Sequence, residues 1–399
     1  MGTTLKHKRL VLGVCGGIAA YKSAELLRLL VKEGASVQVV LTANAARFVG
    51  PLTFEVLSQQ KVCSSLFDPH ETASVQHIQW AQNADAVVVA PATANVIGKL
   101  AHGIADDALT TFMLAVTSPV MICPSMNSNM YASEPVQANL ESLGRYGFHI
   151  LAPEAGELAC GTTGPGRLPE PAYILDRLIS LLTPKDLTGR RVMITAGPTR
   201  ETIDPVRFIS NPSSGKMGYA LARAAEMRGA DVTLVSGPTV LSPPFNVRTV
   251  AVKSAADMAE AVLSRLDDTD IVIKSAAVAD YRPTVAADHK IKKTDAGQTL
   301  TLERTQDILK SVGERKTHQI LVGFAAETRD LDANAEVKLK AKNLDLLVGN
   351  LIGQDGAGFE SDTNLVNLYF RNGSKESLGK MPKSELAHVI LDRVVALMT

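Results

Sequence analysis

"RLVLGVCGGIAAYKSAELLRLLVKEGASVQVVLT", residues 9–42, carries the pattern on which the fold turns. An apolar, β-branched run passes through a glycine pair into a segment whose apolar residues recur at helical spacing, and a second β-branched run follows. Strand, glycine turn, helix and strand in that order build a parallel sheet covered by helices.

The pattern repeats outward. DAVVVAPAT, PVMICPSM and FHILAP read as further strands, and ANVIGKLAHGIADDALTTFMLAV and VQANLESLGRYG as helical stretches between them. After the helix PEPAYILDRLISLL and the segment TPKDLTG, the alternation starts again with RRVMITAG, SSGKMGYALARAAEMRGA, DVTLVSGP, SAADMAEAVLSRL and DIVIKSAA. The later part differs, ending in a hairpin pattern around Asn372-Gly373 and a last helix from Lys383. The expected fold is α/β with two doubly wound parallel-sheet domains, residues 1–189 and 190–399.

Composition narrows the function. Lys plus Arg and Asp plus Glu are equal at 41 each, so no charge excess favours a nucleic acid or an anionic membrane. The expected partner is a small molecule. The apolar run near the start is short and glycine-broken, which suits neither a signal nor a span, and the expected location is cytoplasmic. Four cysteines (Cys15, Cys63, Cys123, Cys160) stand far apart without CxxC spacing, which argues against a zinc site or a disulfide framework.

Gly13, Gly16 and Gly17 do not have GxGxxG spacing, and the second strand runs into Thr42 where a strand binding a nicotinamide dinucleotide usually ends in an acidic ribose ligand. A hydroxyl there suits a phosphate, which points to a mononucleotide such as FMN. PATAN (91–95) and PSMNSNMY (124–131) fall at strand ends, where open α/β sheets bind ligands, although prolines also simply stop strands and Asn127 is equally a helix cap. His77 reads either as a packed histidine or as a proton-transfer group.

In the second half, SSGKMG lacks the GxxxxGK[ST] spacing of a Walker loop. What remains is a glycine-serine turn opening a helix, with Arg200, Arg207 and Asn211 upstream as groups for phosphate and carboxylate. Asp280 and the cluster Lys290, Lys292, Lys293 read either as a solvated edge or as groups for a triphosphate and a metal ion.

Taken in order, GGIAAYK, the His77 segment, APATAN, PSMN, ACGTTGPGR, ITAGPTRE, SNPSSGKMG, AAVADY, KIKK and GFAAET resemble the bacterial bifunctional coenzyme A biosynthesis family. That family joins a phosphopantothenoylcysteine decarboxylase to a phosphopantothenate-cysteine ligase. The resemblance implies an N-terminal flavodoxin-like domain holding FMN through Gly16, Gly17, Ile18, Ala19, Thr42, Ala92 and Thr93. It implies a catalytic role for His77 and substrate carboxylate binding by Asn127. The substrate's cysteinyl end is oxidised to a thioaldehyde-like species, carbon dioxide leaves, and Cys160, in a glycine-rich flap, protonates the remaining enethiolate.

For the C-terminal Rossmann-like domain the resemblance implies ligation with CTP and magnesium. An acyl-cytidylate of 4'-phosphopantothenate forms, and the amine of L-cysteine displaces CMP. Lys290 serves activation and Asn211 the attack on the intermediate. CTP contacts fall on Lys274, Ser275, Ala276, Asp280, Lys290, Thr305, Gln306, Asp307, Ile308, Phe324, Lys338 and Lys342. Thr305-Gln306 stands where family members commonly carry Asn-Pro, which implies a modified contact. The magnesium ligands are not implied. The resemblance further implies a homo-oligomer, with trimers of the first domain and dimers of the second building a dodecamer.

Other readings are a flavoprotein acting on a peptide cysteine or on a flavin, a phosphatase-inhibiting subunit, and a pair of nicotinamide-binding domains. The first two leave the second half unexplained. The third conflicts with the glycine spacing.

Overall fold

β1 (Arg9–Val14), β2 (Ser36–Leu41), β3 (Ala86–Ala92), β4 (Val120–Pro124) and β5 (His149–Ile150) form one parallel sheet in the order β2-β1-β3-β4-β5. The computed structural model describes residues 5–65, 76–158, 161, 163–292, 299–327, 331–351 and 361–398. The chain divides into two units, Met1–Thr183 and Pro184–Thr399. In the first, β3 is buried at every position, as a strand covered on both faces must be. The helix Ala20–Lys32 turns Leu26, Leu27 and Leu30 inward. Strand order reverses between β1 and β3, so their carboxyl ends flank a crevice; this is the flavodoxin-like order.

Residues 94–116 form two helices rather than one continuous stretch, Ala94–Ala101 and Ala108–Leu114. Gly103 adopts a φ of 67°, which ends the first, and Asp107 starts the second by accepting the Thr110 N–H at 2.8 Å. After the short β5, β6 (Glu154–Glu157) and β7 (Thr163–Arg167) make an antiparallel hairpin, followed by the helix Pro171–Leu182.

In the second unit β8 (Arg191–Ala196) is followed by a small hairpin, β9 (Arg200–Thr202) and β10 (Phe208–Ser210). The helix Lys216–Met227, β11 (Asp231–Ser236), β12 (Arg248–Ala251) and β13 (Ile271–Lys274) come next. β14 (Tyr281–Pro283) pairs with β15 (Leu302–Arg304) outside the main sheet. β16 (Ile320–Glu327), β17 (Leu346–Leu351), β18 (Thr363–Asn364), β19 (Val366–Phe370), β20 (Lys375–Ser377) and β21 (Met381–Pro382) precede the final helix Lys383–Ala396. The main sheet runs β12-β11-β8-β13-β16-β17-β19-β20.

That sheet is parallel from β12 to β17, while β19 pairs antiparallel with both β17 and β20, in keeping with the hairpin pattern expected there. The turn at Asn372-Gly373, where Gly373 has a φ of 84°, sets the β19–β20 pairing, because strands joined by a tight turn can pair only antiparallel. Order reverses between β8 and β13, opening a second crevice at their carboxyl ends. Among the described residues no helix is long and apolar enough to cross a membrane.

Candidate active sites

In the first unit the loops leaving β1, β2 and β3 meet at the crevice. The Cys15 N–H donates to the Pro91 carbonyl at 3.2 Å, and the Thr42 N–H to the Val14 carbonyl at 3.1 Å. A Cβ on Gly16 would overlap Asn44, so only glycine lets these loops approach, whereas one on Gly17 would meet only Thr93 Cγ2, at 3.8 Å. The helix Ala20–Lys32 starts from Ala19 with no side-chain cap. Its first turn is thus suited to an anionic oxygen. Thr42 Oγ1 accepts from the Ala45 N–H at 3.2 Å, and Thr93 Oγ1 from the Val96 N–H at 3.5 Å. Ile18 is 62 % exposed beside the turn and Ala92 is buried at the end of β3. An uncapped helix start, small residues and one presented apolar side chain fit a flat, phosphate-bearing group.

Asn127 follows β4 and caps the helix Ser128–Ala132, its Oδ1 accepting the Asn129 N–H at 2.8 Å. The neighbouring Met126 N–H donates to the Gly166 carbonyl at 3.0 Å, which lays β7 against the Asn127 loop. Cys160 falls in the connection between β6 and β7, outside the described residues. His77 lies in the helix Gln76–Asn83, but its side chain is outside the described residues. The other thiols pack: Cys15 and Cys123 are buried and Cys63 half-buried. Burial pushes the Cys15 thiol up to about 12 and Cys123 higher still, which suits neither to nucleophilic work.

One residue here escaped sequence reasoning. Lys22 is buried, and its Nζ donates to the Leu168 carbonyl at 3.1 Å and to Glu170 Oε1 at 2.9 Å, tying the chain just past β7 to the helix Ala20–Lys32. A lysine within an amphipathic pattern gives no hint of a partner some 150 residues away.

The second unit holds a cavity of about 800 Å³ at the β8/β13 reversal. Gly215, with a φ of 76°, opens the helix Lys216–Met227, which has no side-chain cap. A Cβ on Gly218 would lie 2.5 Å from Ala196 Cβ and 2.7 Å from Ser275 Oγ, so glycine seats this helix directly on β8 and the end of β13. Ser275 Oγ donates to the Thr195 carbonyl at 2.8 Å, and the Ala276 N–H donates to Thr195 Oγ1 at 3.2 Å. Asn211 Nδ2 donates to the Val278 carbonyl at 3.0 Å.

The lining carries Lys216, Lys274, Lys338, Lys342, Lys383 and Arg304 against Asp280 and Asp307. That excess suits a polyanion. Burial lowers Lys274 from 10.5 to about 8, with Lys342 adding to the effect and Asp307 and Asp280 opposing it. Asp307 Oδ2 pairs with Lys342 Nζ at 2.9 Å, and Asp307 Oδ1 caps the helix Ile308–Arg315 through the Lys310 N–H at 3.0 Å. Burial works against the charged carboxyl, yet these bonds outweigh it and hold its pKa below the ordinary range.

Asn211, Lys274, Ser275, Ala276, Asp280, Thr305, Gln306, Asp307, Ile308, Phe324, Lys338 and Lys342, scattered in sequence, all line this one cavity. Lys290 does not; it is exposed on a neighbouring segment, and Lys293 is outside the described residues. Thr305 acts within the protein, its hydroxyl donating to the Ala279 carbonyl at 2.6 Å and its N–H to the Asp280 carbonyl at 2.9 Å. Sequence reasoning missed Lys383 and Asn350. Lys383 is buried at the start of the last helix, where no motif marks it. Asn350 near the end of β17 is buried with no partner for Oδ1; a polar residue closing an apolar strand was the available signal. Among the described residues no group of three His, Cys, Asp or Glu side chains is placed to hold a metal ion.

Comparison with known proteins fits this division. The flavoprotein family matches residues 1–183, and the family described as DNA/pantothenate metabolism flavoprotein C-terminal domain matches residues 187–398. The chain is 51 % identical over 397 residues to the coenzyme A biosynthesis bifunctional protein CoaBC of Bacillus subtilis (strain 168), covering 98 % of each chain. It is 45 % identical over 397 residues to the protein of that name from Escherichia coli (strain K12), again covering 98 % of each. A crystal structure of the C-terminal domain of a CoaBC protein aligns at 47 % identity with a TM-score of 0.47, covering 54 % of this chain and 98 % of that one.

Proposed function

Because the chain belongs to the family of coenzyme A biosynthesis bifunctional proteins, we propose a residue-level account of its two activities. It is a bifunctional enzyme, a phosphopantothenate-cysteine ligase joined to a phosphopantothenoylcysteine decarboxylase.

The ligase reading rests on one observation: Asn211, Lys274, Asp280, Asp307, Phe324 and Lys342 gather at a cavity rich in lysine. The order β12-β11-β8-β13-β16-β17 around the reversal supports reading this unit as a Rossmann-like nucleotide domain. CTP places its phosphates among the lysines, and magnesium enters with those phosphates, as it usually does, with Asp280 as a protein oxygen at hand. Lys290 reaches in from its segment and neutralises charge as the 4'-phosphopantothenate carboxylate attacks the α-phosphorus and pyrophosphate leaves. Asn211 then holds the acyl-cytidylate while the cysteine amine attacks the acyl carbon and CMP leaves. A carboxylate is a poor acyl donor, and cytidylylation supplies the leaving group it lacks.

In the decarboxylase unit FMN is held at the first crevice by Gly16, Gly17, Ile18, Ala19, Thr42, Ala92 and Thr93, and when bound it supplies two-electron redox chemistry. Asn127 binds the substrate carboxylate, His77 serves proton transfer, and Cys160 delivers the proton that completes 4'-phosphopantetheine. Placement of β7 against the Asn127 loop supports this reading, because it brings the hairpin bearing Cys160 to the carboxylate-binding loop. The enzyme acts in the cytoplasm as a homo-oligomer, with trimeric first and dimeric second domains in a dodecamer.

The test is a mass-resolved product assay on the full protein with 4'-phosphopantothenate, cysteine, magnesium and either CTP or ATP. Formation of 4'-phosphopantetheine with CMP and carbon dioxide is expected with CTP. Equal turnover with ATP would remove the CTP assignment, and accumulation of phosphopantothenoylcysteine alone would remove the flavin-site assignment. Lys290→Gln should abolish ligation.

A further inference from the structure

Lys290 stands outside the cavity on an exposed stretch of chain, so its reach depends on what holds that stretch. Two bonds fix it to the turn between β9 and β10. The Ala287 N–H donates to the Ile203 carbonyl at 2.9 Å, and the Ile291 N–H donates to Asp204 Oδ2 at 3.1 Å.

The Asp204 side chain is fully buried (0 % exposed). Its Oδ1 accepts the N–H groups of Val206 and Arg207, each at 2.8 Å. Those two bonds are what an aspartate needs to close a turn. Oδ2 is directed elsewhere, to the Arg207 guanidinium at 2.9 Å (Nε) and 2.6 Å (Nη2) and to Ile291. Arg207 Nη2 also donates to the Ile291 carbonyl at 2.7 Å. One ion pair therefore holds both backbone polar groups of the residue after Lys290. Burial opposes the charged carboxyl, but the guanidinium and three backbone N–H groups outweigh it, so the anion persists far below neutral pH.

We propose that Asp204 is a positioning residue for the ligase reaction: it anchors the chain at Ile291 so that Lys290 swings into the cavity from a fixed point. This rests on the role given to Lys290 above. A lysine has four rotatable side-chain bonds and orients poorly unless its backbone is held, and misplacing a reacting group by about 1 Å costs about 100-fold in rate.

Two variants of the full protein test it. Asp204→Asn keeps an oxygen for the turn but weakens the grip on the guanidinium and on Ile291, and Ile291→Pro deletes the N–H that Asp204 accepts while also fixing φ at 291 and biasing Lys290 toward extended backbone. Pyrophosphate release from CTP and 4'-phosphopantothenate without cysteine is measured beside CTP affinity by calorimetry and decarboxylation of supplied phosphopantothenoylcysteine. Both variants should lose pyrophosphate release by about 100-fold while CTP affinity stays within about threefold and decarboxylation is unchanged. Tryptic cleavage after Lys290 and Lys292 should quicken in Asp204→Asn. Wild-type pyrophosphate release in either variant, with Lys290→Gln inactive, overturns the role of Asp204 alone. Wild-type release in Lys290→Gln overturns the reading of the lysine itself. If Asp204→Asn also loses CTP binding, Ile291→Pro decides: release lost with affinity intact and faster tryptic cleavage after Lys292 supports the anchor, and release retained or cleavage unchanged overturns it.

Discussion

The backbones of Gly166 and Met126 are in direct contact: the Gly166 carbonyl accepts the Met126 N–H at 3.0 Å, and a Cβ on Gly166, whose φ is 140°, would overlap the Met126 carbonyl oxygen. Gly164 is similarly close, its Cβ position lying 2.5 Å from Ser128 Oγ. Glycine alone lets β7 lie on the loop that presents Asn127. Gly166→Ala should lower decarboxylation by about 100-fold through misplacement of the hairpin. Flavin absorbance and ligation should persist, since Gly166 touches neither crevice turn. Normal decarboxylation in the variant would show that the contact is dispensable.

Lys274 gives the ligase unit a pH signature. Its pKa of about 8 lies below the ordinary 10.5, so the ammonium is fully present only below about 8 and is lost as pH rises through that value. CTP affinity should be nearly constant up to about pH 7, begin to fall near 8 and fall most steeply above it, and the fall should flatten in Lys274→Met. Between about 8 and 10.5 the unfolded chain binds the extra proton, so the unligated unit gains stability with rising pH. Lys274→Met should accordingly bind CTP more weakly without lowering the melting temperature. Calorimetric titration across pH checks both.

Cys160→Ala should leave ligation intact and stop decarboxylation at the oxidised, decarboxylated species, lighter than 4'-phosphopantetheine by one H₂. Complete turnover to 4'-phosphopantetheine by this variant would remove the thiol from the proton-donor role. The same substitution at Cys123, a thiol buried in the sheet, should leave the product unchanged.

Arg228 is 4 % exposed and bonds Asp186 through Nε at 2.8 Å, Asp392 at 2.7 Å and the His388 carbonyl at 3.1 Å. It joins the start of the second unit to the last helix. Arg228→Ala should destabilise that unit by about 2–3 kcal/mol, at the low end for a buried pair because both carboxylates are partly exposed and keep some hydration. Urea unfolding followed through nucleotide protection would measure it.

Much of the fold was legible in the chain. Apolar strands such as Ala86–Ala92 must be covered on both faces, and the glycine pair after β1 announces a close approach that Gly16 makes against Asn44. The break in residues 94–116 was less visible, because Gly103 and the Asp107 cap interrupt an apolar rhythm that continues on both sides. The antiparallel end of the second sheet was announced only by Asn372-Gly373.

The sequence by itself determined the two α/β halves, because these follow from local periodicity, and the resemblance of its ordered motifs to a known family marked most of the residues that line the second cavity. Only the tertiary structure decided that Lys383, Asn350 and Lys216 line the same cavity as Lys274, that β7 rests on the Asn127 loop, and that Asp204 holds Ile291. Such contacts join residues far apart in the chain. A buried lysine, an orphaned amide oxygen or a carboxylate with five donors looks like any other Lys, Asn or Asp until folding sets its neighbours and removes water.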